Sequence, residues 1–346
     1  MLGAVLCLGG CAASASLDTA EIVPPVRYPI GVVGVRDGRA AFRQIYCRIN
    51  EQVGSRYPDR RPCDDALDRL GDDEPTVFRL DDRNTTTTKT TLVFIPGIFG
   101  ECVRNIATPF SDSYEELRQN GYRVVVVPAE GRSSSATNAA IIDRTLRSTQ
   151  DDLVVLGYSK GVSDFMEALQ LYADAEWVGR TRAFISVAGV VSGTPIADEL
   201  EGLYATLLAR VPVSTCEPGD KGAVTSLTRQ TRMSWLSSHR LPETIEYFSV
   251  VAYPTTSALN PLLAPFHSHL SLIDARNDGQ VLIEDAVLPK SHLLAYVNAD
   301  HWAVAMPFNR STNPGAAFLA IGNAFPREVL LQAILAYVAQ VRVMRN

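Results

Sequence analysis

The stretch from Asp151 to Asp164, D-D-L-V-V-L-G-Y-S-K-G-V-S-D, constrains this chain more than any other. A short apolar run, Leu153 to Leu156, leads into Gly157-Tyr158-Ser159-Lys160-Gly161, after which the pattern turns amphipathic. G-x-S-x-G set between a strand and a helix is the pattern of a nucleophile elbow. The glycines have a steric job. A turn this sharp forces the serine backbone into a strained region, and side chains at positions 157 and 161 would collide with neighbouring backbone. Ser159 is then expected at the carboxyl edge of a sheet, with the N–H of Lys160 facing the same spot. So short a pattern also arises by chance, and its meaning depends on whether the rest of the chain supplies partners.

Strands and helices alternate around that stretch. Leu92 to Ile95 reads as a buried strand ending in the turn Pro96-Gly97-Ile98-Phe99-Gly100. Ser111 to Asn120 reads as a helix, Tyr122 to Pro128 as a fully buried strand, and Ala136 to Gln150 as a helix. The helix after Ser159 runs to Tyr172, and Thr181 to Ala188 is another strand. This spacing predicts an α/β fold built on a doubly wound, mostly parallel sheet. Continuous apolar runs, rather than alternating ones, predict that the sheet is covered on both faces. After Gly189 the rhythm breaks. An inserted segment of about 195–243 carries helical pieces at Ala197 to Val211 and Ala223 to His239, and Ile245 to Val251 returns as a strand. Leu293 to Val297 is the last sheet strand, and Pro326 to Val343 is a closing amphipathic helix. Ahead of the sheet, Gly38 to Gln52 and Asp64 to Leu70 read as two helices of an N-terminal extension over 31–90, within a single domain spanning 31–346.

A net charge of −6, with Lys and Arg scattered, leaves no basic footprint and argues against a nucleic-acid partner. Beyond the first dozen residues nothing approaches the run of about 20 apolar residues that a spanning helix needs. Met1 to Leu8 is apolar, and Leu8-Gly9-Gly10-Cys11 resembles a bacterial lipobox, although no Lys or Arg precedes the run. That resemblance implies a signal peptide over 1–11, lipidation of Cys11 and a small, polar tether over 12–30. It also implies export to the periplasmic side of the outer membrane, Ala12 favouring that destination over the inner one. Such an anchor holds a soluble body at a membrane without making it span. Apart from Cys7 and Cys11, the cysteines are Cys47, Cys63, Cys102 and Cys216. An even count in an exported chain suggests two disulfides, with three possible pairings. Cys47 with Cys63 is the local choice, closing a loop of about 15 residues worth about 3 kcal/mol in the chain-entropy model. Cys102 with Cys216 would then tie the turn after Ile95 to the insertion. Four buried thiols are the alternative. The spacing matches no zinc pattern.

A nucleophilic serine needs a base to take its proton and an acid to orient that base. Of the five histidines, His301 lies just beyond the last strand, in Val297-Asn298-Ala299-Asp300-His301-Trp302. His239 falls in the insertion, His292 opens the last strand, and His267 and His269 precede the preferred acid. That acid is Asp278, in the turn-like Asn277-Asp278-Gly279-Gln280-Val281, with Asp274, Glu284 and Asp285 as rivals. Asp300 adjoins His301, and neighbouring side chains rarely point so that one orients the other's ring. It is expected to be solvated or bonded to backbone. The Lys160 side chain opens the helix and aims elsewhere, so it is not expected to serve as a Ser–Lys base.

These pieces resemble the lipase-type α/β-hydrolases of bacteria. The resemblance is carried by Pro96–Gly100, Gly157–Gly161, Gly193-Thr194-Pro195, Asn277-Asp278-Gly279 and Asp300-His301, and it spans roughly Thr91 to Pro307. Pro96 stands where His is usual before the turn glycine, and Lys160 where Met, Gln or Leu is usual. The resemblance implies the chain order Ser, Asp, His, which matches Ser159, Asp278 and His301. It implies an oxyanion hole formed by the N–H groups of Lys160 and Ile98, with Phe99 as the fallback, and a cap in the inserted segment. The function expected is a serine hydrolase that cleaves small-molecule or lipid carboxylic esters through an acyl-enzyme, with no metal or organic cofactor. An acyltransferase using the same triad, or a non-catalytic lipoprotein that binds in the cleft, are the other readings.

Overall fold

The run Thr90–Ile95 (β3) is buried along its whole length and pairs in parallel on both sides, with β4 (Arg123–Val126) and β5 (Asp152–Tyr158). From β5 the sheet continues in parallel through β6 (Thr181–Val187), β7 (Glu246–Ala252) and β8 (His292–Val297). Two short strands complete it, β1 (Arg36–Asp37) and β2 (Leu67–Asp68), giving the order β1-β8-β7-β6-β5-β3-β4 with β2 also on β8. This computed structural model describes residues 34–69, 89–199 and 218–345. The leader, Cys11, the tether, Cys216 and positions 200–217 of the insertion lie outside the described residues.

The expected doubly wound α/β sheet is what forms. Successive residues of a strand point to opposite faces, so an uninterrupted apolar run feeds two cores at once. Leu92 and Phe94 of β3 pack with α1 (Arg39–Val53), α3 (Tyr114–Gln119) and α10 (Arg327–Arg345) on one side. Val93 and Ile95 pack with α4 (Ser135–Arg147) and α5 (Lys160–Leu171) on the other. Ser134 caps α4, its hydroxyl accepting from the Thr137 N–H. Parallel strands place all their carboxyl ends on one edge of the sheet, where the loops after β3, β5, β6, β7 and β8 gather. That edge is where ligands bind in open α/β sheets.

Two expectations are corrected at the periphery. Tyr122 to Pro128 was expected to be fully buried, but β4 is the terminal strand, with Arg123 exposed and Val124 to Val126 half-buried. Asp64 to Leu70 is not one helix. α2 (Cys63–Ala66) ends after one turn, and Leu67 and Asp68 pair antiparallel with Val297 and Tyr296. The stretch between β7 and Asp278 contains α9 (Ala264–Leu270), which has a proline in its first turn. Between the elbow helix and β6 lies another short helix, α6 (Glu176–Arg180), which buries Trp177 against Phe165.

The extension has a structural role that its sequence did not announce. An open strand edge exposes a row of unpaired backbone groups, and β8 is closed by two short pieces. β1 pairs in parallel with His292 and Leu293 at its start, and β2 covers its end. α1 joins the two pieces and packs on α10, with Phe42 edge-on to Tyr337 at 6.2 Å. A disulfide, Cys47–Cys63, ties α1 to α2. Cys102 is disulfide-bonded as well, while Cys216, its expected partner, lies outside the described residues. Among the described residues no helix is long and apolar enough to cross a membrane.

Candidate active site

β5 delivers Ser159 into a turn where its backbone takes φ 54° and ψ −124°. For a non-glycine residue that conformation is strained, and it persists only where the surroundings over-determine it. Here they do: the Ser159 N–H donates to Val187 O at 3.2 Å, and its carbonyl accepts from Val162 and Val190. A Cβ at Gly161 would run into the carbonyl oxygens of Ile95 and Pro96. The turn after β3 comes just as close, since a Cβ on Gly97 would stand 2.7 Å from that of Ser159.

The structure brings three of the sequence-derived residues together. His301 Nε2 is 2.9 Å from Ser159 Oγ, and His301 Nδ1 is 2.7 Å from Asp278 Oδ2. All three are almost fully buried. The other oxygen of Asp278 accepts from the N–H groups of Gln280 and Val281 at 2.8 and 2.7 Å. These bonds fix the carboxylate so that Oδ2 faces the ring. The rival acids are engaged elsewhere: Asp274 is bonded to Arg276, Asp285 to Arg229, and Glu284 lies 3.9 Å from Arg276. Of the other histidines, His239 stacks on Trp235, His269 pairs with Glu199, and His292 meets the Tyr337 hydroxyl.

The two backbone donors can be distinguished. The Phe99 N–H donates to Gly131 O at 3.0 Å. No partner is found among the described residues for the N–H of Ile98 or of Lys160. Ile98 and Ser159 line the same small cavity. The Lys160 ammonium turns away, into a buried pair with Asp164 at 2.5 Å. Asp164 is held in turn by Asn138 at 2.8 Å. Among the described residues no cluster of His, Cys, Asp and Glu is placed to hold a metal ion.

No protein-family model matches the sequence, and no curated protein matches it. Among solved structures, the metagenomic carboxyl esterase MGS0156 is 36% identical, with a TM-score of 0.85 and coverage of 92% of this chain and 96% of that one. The chain belongs to the lipase/esterase-type α/β-hydrolases. Mature lipase BlEst2 of Bacillus licheniformis shares the fold at 20% identity, with a TM-score of 0.50 and coverage of 65% of this chain and 89% of its own. The propeptide form of the same lipase matches at 22% identity, over 62% of this chain and 46% of that one.

In this hydrolase several residues that sequence reasoning missed hold the His301 loop. The Tyr158 hydroxyl, one residue before the elbow serine, donates to His301 O at 2.8 Å. The His301 N–H donates to Asp278 O at 2.9 Å. Asp300 accepts from Trp302, Ala303 and Asn260 N–H groups at 3.0, 2.7 and 2.7 Å, so it is bonded to backbone, and it is buried rather than solvated. Burial pushes its carboxyl up to about 6, and the charge of Asp278 adds to the rise against those three bonds. Arg327, the first residue of α10, is fully buried and donates to Ala303 O at 2.9 Å. The sequence marks of this scaffold are weak, because a tyrosine inside G-x-S-x-G and an arginine opening a helix are ordinary residues until their partners are known.

Proposed function

We propose that this hydrolase cleaves carboxylic esters by an acyl-enzyme route in which Ser159 is the nucleophile, His301 the general base and acid, and Asp278 the group that orients the imidazole. The observation that carries the reading is the unbroken Asp278–His301–Ser159 chain of 2.7 and 2.9 Å contacts. Family membership supports ester hydrolysis independently. With Nδ1–H donated to Asp278, Nε2 is left as the acceptor for the Ser159 proton. Ser159 Oγ adds to the ester carbonyl, and the N–H groups of Ile98 and Lys160 receive the developing oxyanion. A preorganised donor of this kind contributes on the order of 10²–10³ in rate. His301 then passes the proton to the leaving alcohol, and a water activated by the same nitrogen releases the acid. In the Ser159→Ala variant, turnover of p-nitrophenyl esters and labelling by a fluorophosphonate should both vanish while the melting temperature holds. Residual turnover near the wild-type rate would sink the assignment.

We also propose attachment to a membrane through a lipid on Cys11, supported by the lipobox-like Leu8–Cys11. Mass spectrometry of the N-terminal peptide from membranes, with a Cys11→Ser control, tests this directly.

A further inference from the structure

Beside Ser159 lies a small apolar cavity walled by Ile98, Val190, Ile196, Ala197, Val224 and Leu227. Its polar neighbour Thr194 uses its hydroxyl on Gln280 O at 2.6 Å, so that side chain offers the cavity no free donor. The cavity volume is about 20 Å³. On that measure a single water needs at least about 10–15 Å³. The cavity therefore holds one or two groups the size of a methyl or methylene. Its place relative to the reacting atoms is one-sided. The imidazole must reach the leaving oxygen, so the alcohol departs on the side of His301. His301 itself does not line the cavity and only Gln280, two residues beyond Asp278, reaches it from that side, whereas Ile98, on the side of the oxyanion donors, forms part of its wall.

Resting on the ester-hydrolase reading, we propose that this cavity is the acyl pocket and restricts the hydrolase to acetyl and propionyl esters. The walls are set from two directions. Ile196 and Ala197 come from α7 (Pro195–Glu199), and Leu227 from the turn before α8 (Arg229–Ser238). The two pieces are locked together by the Thr194 N–H to Leu227 O bond at 3.0 Å and by Asp198, which accepts from the Arg229 N–H at 2.9 Å. Ile196 is backed by Leu263, Phe266 and Leu270, which fix the depth of the pocket.

The test measures kcat/KM on p-nitrophenyl esters from acetyl to octanoyl, and on acetate esters of graded alcohols. The optimum is expected at acetyl or propionyl, falling at least about tenfold by hexanoyl, because one misfit methylene changes selectivity roughly 10–200-fold. The alcohol series should be much flatter. Leu227→Ala should move the optimum to longer acyl chains and raise the hexanoyl-to-acetyl ratio about tenfold. Ala197→Leu should depress propionyl relative to acetyl. If Leu227→Ala fails to fold, Leu227→Val should shift the optimum in the same direction. An optimum at butyryl or beyond, a profile unmoved by the Leu227 variants, or a steep alcohol series with a flat acyl series would each overturn the pocket assignment while leaving ester hydrolysis standing. No Ser159-dependent turnover of any ester would remove the hydrolase reading itself.

Discussion

The elbow and the histidine loop contribute to one site but are held by different means. Around Ser159 the supporting contacts are steric and mostly local: Gly157 and Gly161 inside the motif, Gly97 from the strand next door, and three backbone hydrogen bonds. Around His301 the support is polar and comes from far along the chain. Tyr158, Asp278, Asn260 and Arg327 all grip residues 300–303. The extension joins in one step earlier: the Asn298 N–H donates to Ala66 O at 3.0 Å, and Arg61 donates to Asn298 O at 3.0 Å. A turn fixed by excluded volume tolerates no substitution, whereas one fixed by many hydrogen bonds should yield by degrees. The Ser159 elbow is therefore expected to respond to change all or none, and the His301 loop gradually.

The largest effect should come where the two regions meet. Asp278→Asn keeps the backbone-bonded oxygen but turns an amide toward His301 Nδ1, favouring the wrong tautomer. Its kcat should fall about 10⁴-fold, with little change in melting temperature. A loss under tenfold would mean that the orienting group is another residue. Next is the disulfide that secures the extension. Cys47 and Cys63 are 16 residues apart, and replacing both with Ser should lower stability by about 3 kcal/mol. Denaturant titration measures this. Because α2 and β2 hold the end of β8, the same variant should lose activity at a lower temperature than the wild type.

Asp300 offers a test with a pH signature. Its folded value of about 6 lies above an unfolded value near 3.9. The folded state therefore holds the proton more tightly, and this contribution is present below the unfolded value and lost as pH rises through about 6. Asp300→Asn cannot accept from the Asn260 N–H in the same way and should destabilise by about 1–3 kcal/mol. The gap from wild type should widen by about 1 kcal/mol on going from pH 7 to pH 5. A gap that narrows would contradict the raised value. The smallest effect belongs to Tyr158→Phe, which removes the bond to His301 O. A stability loss of about 1 kcal/mol and a few-fold lower kcat, with KM unchanged, is the graded response expected of the loop. An all-or-none loss would erase the distinction between the two regions.

Much of the site was legible because its logic is local. The glycines of the elbow exclude side chains for reasons of backbone geometry, and the apolar runs Leu92 to Ile95 and Leu153 to Leu156 have the composition of strands buried on both faces. Chain order then singled out His301, the histidine whose ring meets the Ser159 hydroxyl. The peripheral errors share a cause. Whether Tyr122 to Pro128 is buried depends on which strand ends the sheet, and Leu67-Asp68 becomes a strand only because β8 presents an open edge. Which neighbours a strand acquires in the finished sheet leaves no trace in either segment alone.

The sequence by itself determined the elbow around Ser159 and the sheet that carries it, because steric exclusion and hydrophobic periodicity act within a few residues. Only the tertiary structure decided which carboxylate faces the imidazole, since Asp274, Asp278 and Asp285 differ in what surrounds them: an arginine, a histidine and another arginine. It also engaged the Phe99 N–H and not that of Ile98, because the carbonyl of Gly131 that meets Phe99 arrives from a different loop. Electrostatic and hydrogen-bonding roles are properties of neighbours, and the neighbours exist only once the chain has folded.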